Sequence, residues 1–254
     1  YVSPTVIGYL EKMQIDGTWI SETEFTELTE EVREAIARLE TAGEPLPTLF
    51  EVETAIAFLY FKKNHCDLVV METGLGGELD ATNIVKNTVC AVFATISRDH
   101  LGVIGDTLEE IAQTKSGIIK PGCKVVSARQ EKSVSQILRE KAEKYNCSYT
   151  EATSEELQVV SEDYKSMRVN YKEYRNLRSS LTGAHQRANL ATALETITAL
   201  RKSGYQIPEE AVREGIAETV WTGRFTCLME SPVFMIDGAH NEDAAYRLRE
   251  SVET

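Results

Sequence analysis

The sequence predicts an α/β fold: a mostly parallel sheet with helices on both faces, a small antiparallel subsheet, and the start of a second α/β domain. Three observations predict it. Short apolar runs alternate with amphipathic helical segments over residues 20–145, which is the pattern of a parallel sheet covered by helices. Between residues 157 and 181 the texture changes to short alternating segments, as in an antiparallel meander. A last apolar run, Val233–Ile236, precedes Asn241, which can cap a following helix. The expected division is a central domain over residues 1–224 and the beginning of another over 225–254.

The elements follow in order. Ser21-Glu22-Thr23-Glu24 has capping-box form, and Phe25, Leu28, Val32, Ile36 and Leu39 recur at steps of three and four, so a helix starts there. Gly43, Pro45 and Pro47 end it, and a second helix is expected over residues 50–63. Residues 66–71 and 89–96 are apolar runs that read as buried strands. Thr107-Leu108-Glu109-Glu110 is another capping box, opening a helix to about Lys115. Lys124-Val125-Val126 reads as a third strand, with a helix near 133–145. Two more helices are expected near 185–203 and 208–219, the second with proline in its first turn.

Composition narrows the function. The 254 residues are 42% hydrophobic and 26% charged, as in an ordinary globular protein. The formal net charge of -13 argues against binding nucleic acid or an anionic membrane surface. It leaves room for a small anionic ligand held by a few local cations. No apolar run approaches the length that spans a bilayer, and no signal peptide opens the chain. The five cysteines form no C-x-x-C pair and read as small core hydrophobes of a reduced, cytoplasmic chain. A first residue other than Met suggests a piece of a longer protein. No oligomer signal is visible, and a monomer is the expectation.

Ligands of open parallel sheets gather at the carboxyl ends of the strands. Three such ends carry unusual residues. Glu72-Thr73-Gly74-Leu75-Gly76-Gly77 follows the first run: a carboxylate, then glycines that let backbone approach a ligand. The plainer reading is a solvated glutamate in a glycine turn. The string is not a G-x-G-x-x-G fingerprint, because Leu79 takes the place of the last glycine. Arg98-Asp99-His100 follows the second run, and a histidine beside a carboxylate suits a metal ligand or general base. Glu72 with His100 would suit Mg²⁺ or Mn²⁺ better than zinc, which favours more His or Cys. The third end is Asp237-Gly238-Ala239-His240-Asn241, a candidate for holding a ribose or phosphate, or simply a capping turn.

Together these residues resemble the folylpolyglutamate synthase and dihydrofolate synthase family of the ATP-dependent Mur-ligase superfamily. The matching pieces run in family order. They are Ser3-Pro4, Thr48-Leu49-Phe50-Glu51, Glu72-Thr73-Gly74-Leu75-Gly76-Gly77 with Leu79-Asp80-Ala81-Thr82-Asn83, Asp99-His100, Gly105 to Leu108 with Lys115-Ser116-Gly117-Ile118, His185-Gln186 with Asn189, Gly223-Arg224-Phe225, and Asp237 to Asn241.

The resemblance implies an ATP-dependent ligase that adds L-glutamate to the carboxylate of dihydropteroate or a reduced folate, through an acyl phosphate. It implies Mg²⁺ (or Mn²⁺) on Ser3, Glu72 and His100, and a carbamylated lysine at Lys115. A lysine takes up CO₂ only as the neutral amine, so partial desolvation of Lys115 would favour it; a helix C-terminal cation is the plainer reading. Thr48, Leu49, Phe50 and Glu51 with Leu79, Asp80 and Ala81 would line the pteroate pocket. Asn189, Arg224 and Asp237 would contact ATP, with His240 near its phosphates.

No G-x-x-x-x-G-K-[ST] occurs, and the family's P-loop is expected upstream of Ser3. The fragment by itself is therefore expected not to turn over. Within the motifs Thr5 replaces a histidine, Glu78 an arginine, Arg98 an apolar residue and Thr222 a proline. The Glu78 change reverses a charge beside the expected substrate pocket. The alternatives are another Mur-type amino-acid ligase acting on a cell-wall nucleotide, and a folate- or nucleotide-binding paralogue without catalysis.

Overall fold

The computed structural model describes residues 1–98, 102–223, 226–239, 245, 246, 248, 249 and 252. The chain divides into two compact units, Tyr1–Val85 and Lys86–Thr254.

The first unit is built on two helices. Strands β1 (Gln14–Ile15) and β2 (Thr18–Trp19) form a two-residue hairpin through Asp16 and Gly17, both with positive φ. Asp-Gly is a strong hairpin signal, and it was open to reading in the sequence. Helix α1 (Glu22–Ala42) starts at Ser21, whose hydroxyl accepts from the Glu24 N–H at 3.2 Å, and stops at Gly43 in the left-handed conformation. Only half the expected capping box forms, since the Glu24 carboxylate takes its bond from the Ser21 hydroxyl. Helix α2 (Leu49–Lys63) carries a complete box between Thr48 and Glu51. The two helices pack over a core of Met13, Ile20, Leu28, Val32, Ile56, Ala57, Tyr60 and Phe61.

Residues 66–71 depart from expectation: they form no sheet ladder. The Tyr1 amino group donates to the Val70 carbonyl at 2.9 Å and the Glu72 N–H to the Tyr1 carbonyl at 3.0 Å. This is a parallel pairing one residue long. Val70, expected to be buried, is 80% exposed.

The second unit holds the parallel sheet. Strands β3 (Cys90–Phe93), β4 (Lys124–Ser127) and β5 (Ser148–Glu151) lie in that order, all parallel. Between them run α3 (Leu108–Ser116), with a complete Thr107–Glu110 capping box, and α4 (Lys132–Lys144). Ala91, Phe93 and Val125 share a core with Ile111, Ala112, Val134 and Leu138 of these helices. Successive side chains alternate across a strand, so Val126, fully buried, faces the other way. There α5 (Ala184–Lys202) packs against β3 and β4. Helices thus cover both faces, as the apolar runs predict.

The meander is β6 (Gln158–Glu162), β7 (Met167–Tyr171) and β8 (Tyr174–Ser179), antiparallel throughout. Its alternating Met167, Val169, Tyr171, Tyr174 and Leu177 meet Leu190, Leu194 and Val212 from α5 and from α6 (Glu209–Glu218). Pro208 is the N-cap of α6, one residue earlier than the expected place in its first turn. Strand β10 (Val233–Ile236) forms where the apolar run predicts. It pairs with β9 (Thr226–Glu230), which the pattern did not announce. The expected cap at Asn241 lies outside the described residues.

Candidate functional site

The site in the first unit starts at Ser3. Its N–H donates to Glu72 Oε2 at 2.8 Å, so two motifs 69 residues apart in sequence meet. The Ser3 hydroxyl oxygen is buried and has no hydrogen-bond partner. A buried hydroxyl without a partner forfeits roughly 1–3 kcal/mol of desolvation. Such an oxygen beside a carboxylate is a hard donor set, the kind that Mg²⁺ takes. Among the described residues no group of three or more His, Cys, Asp or Glu side chains is placed to hold a metal ion, so Ser3 and Glu72 would supply only part of a coordination shell.

After Glu72 the chain turns through Gly74, Gly76 and Gly77. Gly76 has φ 69°, where a side chain would be strained. Asp80 holds this loop shut. One of its oxygens accepts from the Leu75 N–H at 2.8 Å, and the other from the Thr82 N–H at 2.9 Å and the Thr82 hydroxyl. Asp80 also caps a 3-10 turn over Ala81–Ile84. The Leu-Asp-Ala-Thr-Asn string is thus a clasp: its carboxylate is spent on backbone and hydroxyl donors.

That turn and α2 enclose an open groove of about 490 Å³. Its lining includes Glu51, Phe58, Glu78, Leu79, Asp80 and Ala81. The volume is in the range of small-molecule sites. Leu79 is 96% exposed, an apolar side chain offered to whatever enters. The Glu51 carboxyl lies below its usual range because the Thr48 N–H, and then the Thr48 hydroxyl, donate to it. It is a cap first, and presents a fixed negative charge to the groove.

Residues 22–197 match the family described as Mur ligase middle domain. The chain belongs to the Mur ligase family. Within that family it is similar to the dihydrofolate synthase/folylpolyglutamate synthase of Bacillus subtilis, with 35% identity over 100% of this chain and 60% of the relative. The folylpolyglutamate synthase of Thermotoga maritima superposes with a TM-score of 0.88 at 31% identity, over 100% of this chain and 59% of that one. A folylpolyglutamate synthase complex with AMPPCP and folate gives a TM-score of 0.92 at 27% identity, over 100% of this chain and 63% of that one. This Mur ligase chain therefore spans about 60% of the length of the relatives it matches.

Of the residues singled out in the sequence of this Mur ligase chain, the structure brings together Ser3 with Glu72, and Glu51 with Leu79, Asp80 and Ala81. Thr48, Leu49 and Phe50 stand outside the groove lining. Thr48 caps α2, Leu49 is exposed, and Phe50 points toward the glycine loop at Gly74. Thr54 and Phe58 line the groove unannounced. Their spacing of three and seven from Glu51 places them on one helix face, which was the available signal.

In the second unit Lys115 is half-buried in the last turn of α3. Asn189 is exposed on α5 and donates to Gln186 Oε1 at 3.1 Å. Asp237 follows β10 and accepts from the Ala239 N–H at 2.8 Å. His100, Arg224 and His240 lie outside the described residues.

Proposed function

We propose that this chain is part of an ATP-dependent ligase that joins L-glutamate to the carboxylate of dihydropteroate or a reduced folate. The observation that carries the reading is the buried, unpartnered Ser3 hydroxyl beside the Glu72 carboxylate. The groove bounded by α2 and the Asp80 clasp supports it with room for a flat acid. The relatives named above add the class of substrate.

In this reading the substrate carboxylate attacks the γ-phosphorus of ATP, releasing ADP and forming an acyl phosphate. The glutamate amine then attacks the acyl carbon, and phosphate leaves. Ser3 and Glu72 would hold Mg²⁺, joined by His100. When bound, the ion neutralises charge on the phosphoryl group being transferred. Asp80 keeps the glycine loop closed so that backbone can lie near the phosphates, and the groove orients the acid. Asn189, Arg224, Asp237 and His240 would contact the nucleotide, and Lys115, carbamylated, would add a carboxylate to the metal region. Residues 1–224 would form the central domain and 225–254 the start of the next. The protein would act as a cytoplasmic monomer; among the described residues no helix is long and apolar enough to cross a membrane.

The test is phosphate release by the complete gene product with ATP, Mg²⁺, glutamate and either dihydropteroate or tetrahydrofolate. Release should require glutamate and one of the pterin acids together. Release with a cell-wall nucleotide instead would assign another Mur-type ligase, and silence with every acid would mark a paralogue without catalysis.

A further inference from the structure

A second chemical feature lies in the other unit, at the amino ends of β4 and β5. Cys123 directly precedes β4 and Cys147 directly precedes β5. These strands are parallel neighbours with Lys124 opposite Ser148, so the two cysteines face each other one step before the ladder begins. Their sulfurs are 3.7 Å apart. Adjacent strands lie about 4.8 Å apart, inside the Cα separation of about 4.4–6.8 Å that a disulfide accepts. Both side chains already point the same way, so closing the gap asks for sulfur movement and little from the backbone.

The two thiols differ in access. Cys123 is 3% exposed and belongs to the apolar core under the sheet. Cys147 is half-buried, and its S–H donates to the Lys120 carbonyl at 3.1 Å. Cys90 opens β3 opposite Lys124, one step beyond Cys123, and is the competing partner. The carboxyl ends of the strands, where ligands of such sheets gather, are at the opposite edge.

We propose that Cys123 and Cys147 are a thiol pair that small disulfides oxidise to an intramolecular disulfide. Cys147, the accessible thiol, attacks one sulfur of glutathione disulfide as its thiolate. A mixed disulfide forms on Cys147, and one glutathione leaves as thiolate. Cys123 then attacks Cys147 Sγ, the Cys123–Cys147 bond forms, and the second glutathione leaves. Two protein thiols are oxidised, one glutathione disulfide becomes two glutathiones, and the protons lost by the cysteines pass through solvent to the leaving thiolates. The bond closes the segment that holds β4 and α4, fastening the start of β5 to the start of β4.

The experiment is incubation of the intact folded chain with glutathione disulfide, acid quenching, and non-reducing peptide mapping by mass spectrometry. The expected product is one cross-linked peptide pair, Cys123 with Cys147, lighter than the free thiols by two hydrogens. Cys123→Ala should stop at glutathione on Cys147, and Cys147→Ser should leave Cys123 unmodified. The oxidised wild-type chain should melt higher than the reduced one and return to the reduced value with dithiothreitol. Glutathione persisting on wild-type Cys147 without a cross-link, a link from Cys123 to Cys90, or a link formed only in urea would each overturn the proposal. The wild-type map alone decides among these, so a variant that folds poorly leaves the answer intact.

Discussion

Gly74→Ala tests whether the loop after Glu72 is fitted against α2. A Cβ at Gly74 would lie 2.4 Å from Phe50 Cζ, 2.8 Å from Cε1 and 3.1 Å from Cε2. Carbons rest at about 3.5–4.0 Å, so the ring must retreat by roughly 1 Å or more. Gly74 does not use the left-handed backbone region, so the entire cost is steric. Phe50 packs beside the Tyr1 ring at 6.2 Å between centroids and against the core of the first unit, which limits its retreat. Overpacking of this kind costs about 1–3 kcal/mol.

The assay is urea unfolding followed by the fluorescence of Trp19, in a Trp221→Phe background that leaves one tryptophan in the first unit. Gly74→Ala should lower stability by about 1–3 kcal/mol there. In a chain that also carries Phe50→Ala the same change should cost less than about 0.5 kcal/mol, because the obstructing ring is gone. An equal penalty in both backgrounds would refute the fit between loop and helix. So would no penalty in either.

Other outcomes follow from the same structure. Tyr171→Phe removes the hydroxyl that donates to buried Glu195 at 2.8 Å; Lys172 still pairs with that carboxylate, but the bond from the hydroxyl is lost, and the chain should lose about 1–3 kcal/mol in urea unfolding. Ser3→Ala deletes a buried oxygen that has no partner, so without divalent ions thermal stability should rise or hold, whereas any Mg²⁺-induced rise in melting temperature should shrink. A fall in the metal-free melting temperature would show that Ser3 is a structural bond. Burial pushes the thiols of Cys90 and Cys123 up to about 12 and about 11, from an ordinary 9.0. The unfolded chain therefore sheds these protons first. Stability from this source is complete below pH 9.0 and declines as pH rises through the folded values. Urea midpoints should fall on going from about pH 8 to about pH 10.5, with a shallower fall in Cys123→Ala; a flat wild-type profile would contradict it.

Much of the fold was legible because its signals are local. The boxes at Ser21 and Thr107 link residues three positions apart, and the helix faces repeat every three or four residues, so those starts could be read without knowing the neighbours; the complete box at Thr48 carried the same local signal and was passed over. The meander was legible for the same reason, since alternation along one strand reports a buried face. Residues 66–71 were misread because an apolar run shows that burial is wanted and says nothing about a ladder partner. Strand β5 was missed because Ser148-Tyr149-Thr150-Glu151 is polar, and its strand character comes from pairing with β4. At the site, Glu72 and the Asp80 string stood out in sequence. Thr54 and Phe58 were hidden inside a helix that is apolar over most of its length.

The residue order by itself determined where helices begin, which face of each is apolar, and that glycine, aspartate and glutamate cluster after one apolar run. Only the folded chain decided that Ser3 reaches Glu72, that the Asp80 clasp and α2 leave a groove, and that two cysteines 24 residues apart come within 3.7 Å. Caps and periodicities are set by bonds between near neighbours along the backbone. The groove, the orphaned hydroxyl and the thiol pair depend on which distant segments pack side by side, and that follows from burying the whole core at once.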